Sequence, residues 1–367
     1  MKLNCQREAL LNAINITSKA VSGRTTLPIL ECILIRADEN GLKLTANNME
    51  LAIESAAIES EIEETGSIAL DSRFFSDIIR KVNGETVSLS TDDKNTATIT
   101  CGKSEFKISG QNGEDFPPIP SIEKNIKFIA GQNDLRNLIR QTIFSISMDE
   151  SKPILTGELI EIEDNMISAV SVDGYRISYK QAELIQSVGN QRAIVPGTSL
   201  GEISKILSSD EEDKAVLYFT DNHIMLDVNG NIVVSRLIQG EFIKYQQSFT
   251  NDYKIYTKIN KEEMLNSLER ASLVSRDSRK IPVKLDISGK KIIITSNAET
   301  STSYEEVSAE IDGDNLSIAF NPKYLIDALK AIDDEELFML FNTPLSPCVF
   351  KPLEGESYKY LVLPLRL

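Results

Sequence analysis

Ile68-Ala69-Leu70-Asp71-Ser72-Arg73-Phe74-Phe75-Ser76-Asp77 is a short apolar run that turns into a helix pattern carrying an acid at its sixth position. The chain makes this transition twice more, at Ala193-Ile194-Val195 leading to Glu202 and at Ile318-Ala319-Phe320 leading to Asp327. Each step is 125 residues. Each run reads as a buried strand. Each following segment starts with capping chemistry: Asp71 or Ser72, Thr198 or Ser199, and Asn321 followed by Pro322.

A second marker keeps nearly the same step. Pro28-Ile29-Leu30, Pro153-Ile154-Leu155 and Pro282-Val283-Lys284-Leu285 read as proline-led strands, with the prolines 125 and 129 residues apart. Ahead of each lies a helix pattern: Leu10, Ala13, Ile14 and Val21; Leu135, Leu138, Ile139, Ile143 and Ile146; Met264, Leu268 and Ala271. Between helices, Gly41 to Thr45, Asn231 to Val234 and Lys291 to Thr295 alternate as antiparallel strands do. A period this long means repeated domains rather than a solenoid. The fold expected is α+β, three tandem repeats of a helix-strands-helix-strands unit. Boundaries are expected at 1–125, 126–252 and 253–367, the first just after the Pro-rich Phe116 to Pro120.

The bulk numbers limit function. With 367 residues, 41% hydrophobic and 26% charged, the chain can bury a core in each unit. No apolar run approaches the roughly 20 residues of a membrane span, and the polar start Met1 to Cys5 is not expected to be a secretory leader. Cys5, Cys32, Cys101 and Cys348 are too dispersed for a disulfide framework or metal knuckle, so reduced core thiols in a cytoplasmic protein are expected. His223 is the only histidine, read as a solvated or turn residue, which argues against zinc and His-dependent catalysis. No phosphate-binding glycine loop or nucleophile elbow occurs. The acids Asp333 to Glu336 read as solvated turn residues, so no metal, cofactor or catalytic residue is expected.

Net charge is −16, unlike a protein that simply coats DNA. The acidity is uneven. Ile35 to Glu64 holds eight acids against two bases, whereas the six expected helices (6–19, 72–84, 132–146, 198–207, 261–270 and 322–330) hold twelve bases against eight acids. One reading is a helical surface facing a polyanion; the other is an ordinary solvated helix face.

Four strings stand out along the chain: Gly23-Arg24-Thr25-Thr26-Leu27-Pro28-Ile29-Leu30, Val172-Asp173-Gly174-Tyr175-Arg176, Phe320-Asn321-Pro322-Lys323-Tyr324 and the tail Leu363-Pro364-Leu365-Arg366-Leu367. By these strings the chain resembles, over its full length, the β sliding clamps of bacterial DNA polymerase III. The resemblance implies a non-enzymatic processivity factor of the DNA clamp fold. It would be a head-to-tail ring dimer around duplex DNA, serving a replicative polymerase, a clamp loader and other proteins with a clamp-binding motif. The alternative is a triplicated ligand-binding or catalytic protein with sites in interdomain clefts.

Three sets of residues follow from the resemblance. Arg24 matches a position near DNA, and Arg73, Arg80, Arg136, Arg140, Lys205 and Lys323 are carried by their helices. Lys103, Phe106, Lys107 and Ile108, on an edge strand, would meet Leu273, Val274, Glu305 and Glu306 of a second copy, unless they complete a core within one chain. A partner-peptide pocket would be built from Leu155, Val172, Gly174, Tyr175, Arg176 and Ile177 with Asn321, Tyr324, Leu345, Ser346, Pro347 and Leu361, Val362, Leu363, Pro364, Leu365 and Arg366. Phe242 and Gln247 would sit on its rim. Two departures stand out. Pro153-Ile154 replaces an aromatic or basic residue that family members often have. Phe242-Ile243-Lys244-Tyr245 replaces the family's F-P-D-Y.

Overall fold

The computed structural model describes residues 1–23, 25–124, 126–250, 252–275 and 281–366. Among them are six α-helices, two per repeat: α1 (Arg7–Thr17), α2 (Ser72–Lys81), α3 (Gln132–Arg140), α4 (Gly197–Ile203), α5 (Lys261–Ser272) and α6 (Pro322–Ala331). Their buried faces follow the helical period, as with Leu10, Ala13, Ile14 and Thr17 of α1 and Met264, Ser267, Leu268 and Ala271 of α5. Asp71 accepts from the Phe74 amide at 2.7 Å, Asn260 from Glu263 at 3.0 Å and Asn321 from Lys323 at 3.0 Å, each satisfying an orphan amide.

Three expectations are corrected. Pro28 and Pro153 open 3-10 turns (Pro28–Glu31 and Pro153–Thr156), and the strands begin after them at Cys32 and Gly157. Proline's fixed φ suits the first position of such a turn, and it has no amide for a ladder. Thr198 and Ser199 do not cap α4, because the helix already starts at Gly197. Asp333 and Asp334 are not merely solvated: Asp333 accepts from Arg140 and Gln141, and Asp334 from the Tyr358 hydroxyl at 2.9 Å.

The chain divides into two compact units, Met1–Asn133 with Leu184–Val188 and Thr198–Leu237, and Asp134–Glu183 with Gly189–Gly197 and Ile238–Leu367. The middle repeat is split between them. In the first unit a nine-stranded antiparallel sheet crosses from repeat to repeat where Leu51–Glu54 pairs with Asn231–Arg236, Leu51 opposite Ser235. In the second, a twelve-stranded sheet crosses where Arg176–Glu183 pairs with Tyr358–Val362, Arg176 opposite Val362. The first unit also holds a five-stranded sheet ending at Ser104–Ser109. In the second unit α5 and α6 pack Met264, Leu268, Leu325 and Leu329 into a core with Phe320, Phe341 and Phe350. One turn recurs in all three repeats at a step of 125: the amides of Asn48, Asp173 and Ala298 donate to the carbonyls of Leu51, Arg176 and Ser301.

Candidate docking groove, helix cations and edge strands

The turn at Asp173 sets the candidate docking surface of the second unit. Its Oδ1 accepts from the amides of Tyr175 (2.9 Å) and Arg176 (3.1 Å), while Gly174 takes a φ of +94°, where a side chain would be strained. Arg176 is thereby turned inward and is only 7% exposed. Its Nε donates to Asp173 at 2.8 Å, Nη1 to Asp327 at 2.7 Å and Nη2 to the Phe144 carbonyl at 2.6 Å. The guanidinium lies 4.6 Å from the Tyr324 ring centre and 5.4 Å from that of Phe144. With three of its five donors so engaged, Arg176 ties the turn to α6 and to Phe144. Tyr175, 58% exposed, stacks on Tyr324 at 6.1 Å.

The tail is stitched across this platform. Leu363 donates its amide to Tyr175 and Leu365 to Ala319, at 2.9 and 2.8 Å. Side chains of Leu363 and Leu365 remain exposed, as does Leu345 at 70%. Ser346 closes a turn on Thr343, Pro347 and Pro364 are half-buried, and Arg366 is exposed. Val172, Ile177 and Leu361 are buried beneath, in a cluster with Leu159, Ile194, Phe242 and Tyr245; Leu155 packs against it. Val362 belongs to the helix-side core, and Asn321 is occupied as the α6 cap. Gln247 is exposed, and the altered string buries Phe242 while leaving Ile243 outside. Sequence reasoning did not assign Phe144, Asp173 or Asp327 to the site; the recurring acid at 77, 202 and 327 was the available signal.

Of the cations, Arg24 lies outside the described residues. The other six are exposed. Arg80 pairs with Asp77 (3.4 Å), Arg140 with Asp333 (2.5 Å), Lys205 with Glu202 (2.7 Å) and Lys323 with Asp327 (2.5 Å). Among the described residues Arg73 and Arg136 make no ion pair.

Among the described residues the strand Ser104–Ser109 is an edge, paired with Thr96–Cys101 alone. Phe106 and Lys107 are exposed and so is Lys103, but Ile108 is buried within its own unit. In the other unit, Thr302–Asp312 pairs with Lys291–Asn297 along its first part and reaches Ile255–Asn260 only from Ala309. Following α5, Leu273 is exposed and Val274 half-buried. Glu305 is bound by Arg270 at 3.0 and 2.6 Å, which holds its carboxyl below the usual range, and Glu306 by Lys291 at 2.9 Å.

Models of the N-terminal, central and C-terminal domains of the DNA polymerase III beta subunit match residues 1–120, 130–244 and 246–366. The chain belongs to the DNA polymerase III beta subunit family. A beta sliding clamp of Staphylococcus epidermidis is 36% identical over 375 aligned residues, covering 100% of this chain and 99% of that protein. A putative DNA polymerase III beta subunit from Eubacterium rectale is 42% identical with a TM-score of 0.96, each chain fully covered. The Bacillus subtilis DNA polymerase sliding clamp is 32% identical at a TM-score of 0.95, covering 100% of this chain and 99% of that one. Membership in this beta subunit family makes the chain a sliding clamp, a processivity factor and not an enzyme. The alternative of a triplicated catalytic or ligand-binding protein is not favoured. Among the described residues no helix is long and apolar enough to cross a membrane.

Proposed function

We propose that this sliding clamp closes as a head-to-tail homodimer around duplex DNA in the cytoplasm and tethers partners through one apolar groove per chain. The ring holds DNA by topology, so neither base contacts nor tight phosphate clamps are needed. Exposed helix cations on a chain of net charge −16 fit this use: the cations favour the duplex, and the remaining acidity disfavours non-specific adhesion. Three domains, 1–125, 126–252 and 253–367, serve it, with Ser104–Ser109 of one copy covering the free edge of Thr302–Asp312 of the other. The replicative polymerase, the clamp loader and other proteins carrying a clamp-binding motif share the groove.

The observation that carries the docking reading is the set of apolar side chains left in solvent, Tyr175, Leu345, Leu363 and Leu365, over a buried apolar floor. The experiment for the clamp reading is retention on DNA. Protein loaded onto nicked circular DNA stays bound through gel filtration and is lost once the circle is linearised. Equal retention on linear and circular DNA would exclude topological binding.

A further inference from the structure

The turn that builds the docking groove has a counterpart in the first unit. Asn48 Oδ1 accepts from the amides of Glu50 (3.0 Å) and Leu51 (2.8 Å), as Asp173 does from Tyr175 and Arg176. Met49 takes a φ of +74° where Gly174 takes +94°. Arg236 donates its amide to Glu50 at 2.8 Å as Leu363 does to Tyr175 at 2.9 Å. The repeat has therefore made the same backbone junction twice, and a cleft of about 80 Å³ lies at the first copy.

The side chains differ in kind. Where the second unit has Tyr175 and Leu363, the first has Glu50 and Arg236. A methionine, costly at positive φ, stands where the other turn has glycine. His223 opens the strand opposite Arg236, so imidazole and guanidinium share the cleft with Met49, Glu50, Asn47 and Pro118. Among the described residues the Arg236 guanidinium makes no ion pair, whereas the Glu50 carboxylate accepts from the Thr198 hydroxyl at 3.3 Å. At roughly 30 Å³ per water, the cleft holds two or three water-sized groups, the size of a carboxymethyl side chain.

We propose that this cleft is a second peptide-docking site, taking an acidic side chain, flanked by aliphatic residues, of an extended partner segment. Arg236 forks onto the carboxylate, His223 donates beside it, and Met49 and Pro118 cover the flanking aliphatic groups. Burial, then the neighbouring Arg236 cation, hold the imidazole below its ordinary value in the free protein. A bound carboxylate raises it. The ligand class rests on first-unit residues alone, so it stands even if the groove of the second unit takes no peptide.

Because His223 is the only histidine, its ring resonance in the full-length protein reports the cleft directly. The probe is the peptide acetyl-Leu-Asp-Leu-amide, with acetyl-Leu-Asn-Leu-amide as control. Expected are a saturable shift of the ring signal with the aspartyl peptide, a rise in the His223 pKa when it is bound, and binding at least about tenfold weaker for the asparaginyl peptide. Arg236→Gln, an exposed change, weakens the aspartyl peptide by a similar factor, and Arg236→Lys by less. No saturable shift, or equal binding of the two peptides, overturns the proposal. So does undiminished binding by Arg236→Gln.

Discussion

Arg176 and Asp327 stand 151 positions apart in the chain and 2.7 Å apart in the fold, with Nη1 donating to Oδ2. The pair ties the strand that joins the second and third repeats to helix α6. Asp173 and the Phe144 carbonyl accept from Nε and Nη2, so the arginine bonds three segments at once. Removing one member of a buried pair leaves the rest uncompensated. Arg176→Ala is expected to destabilise the protein by about 3 kcal/mol in urea unfolding and to weaken peptide docking, because Tyr324 loses its cation. Arg176→Lys, which cannot fork, is expected to fall between. A loss under about 0.5 kcal/mol for the alanine variant would deny the anchor role.

Glu158 sets a pH dependence. The carboxyl is fully buried, meets the Thr142 hydroxyl, and has an Oε2 without a partner among the described residues. Burial pushes it up to about 8 from an ordinary 4.5. Its folded pKa lies above its unfolded one, so between pH 4.5 and 8 the folded chain holds the proton more tightly. Stability therefore falls as pH rises through that window, by up to about 5 kcal/mol, and levels off above it. Glu158→Gln stays neutral throughout and is expected to lose this slope. Melting temperatures at pH 5, 7 and 9 check it; parallel profiles for the two proteins would refute the assignment.

The helix cations divide by their pairing. Among the described residues Arg73 and Arg136 make no ion pair, whereas Arg80, Arg140, Lys205 and Lys323 must exchange one for phosphate. Arg73→Ala with Arg136→Ala is expected to lower the slope of log affinity against log salt by up to about two, near 0.9 per lost phosphate contact. Sequence preference should remain absent. DNA binding titrated between 50 and 200 mM salt measures the slope, and an unchanged one would remove these two from the DNA-facing set.

Much of this was legible locally, and the exceptions share a cause. Helices α2 and α6 could be placed because cap and apolar period lie within a few residues, at Asp71 and Asn321. Pro28 and Pro153 misled because a proline suits a 3-10 turn as well as the residue before a strand. The inward turn of Arg176 was hidden because Asp327 is remote in sequence, although the recurring acid was visible. Sheet continuity between repeats was hidden too: an alternating pattern says that a strand has one buried face, not which strand lies beside it.

The edge strand gives a prediction about assembly. Phe106 and Leu273 are both exposed on one chain, while Ile108 already has a core and Glu305 and Glu306 already have cations. The seam is therefore expected to rest on the two apolar side chains and strand pairing more than on charge. Phe106→Ala with Leu273→Ala should dissociate on dilution where the parent remains dimeric, and 0.5 M salt should change either protein little. Sedimentation velocity across a hundredfold dilution decides; equal dimer persistence would place the seam elsewhere.

The tail offers the sharpest separation of docking from assembly. Leu363 and Leu365 are fixed by backbone bonds to Tyr175 and Ala319, and their side chains, like that of Leu345, are exposed. Deleting Leu363 to Leu367 removes two of the exposed apolar groups and the backbone bonds to Tyr175 and Ala319. The strand Tyr358–Val362 keeps its pairing on both sides, and the edge strands lie in other sheet regions. The truncated chain is expected to fold and dimerise as before but to lose binding of polymerase-derived peptides by at least about a hundredfold, as removal of two apolar anchors implies. Fluorescence anisotropy with a labelled peptide, run beside sedimentation of the same sample, reads both properties. Full peptide affinity in the truncated dimer would show that partners dock elsewhere. Loss of the dimer together with the peptide would show that the tail holds the fold rather than the ligand.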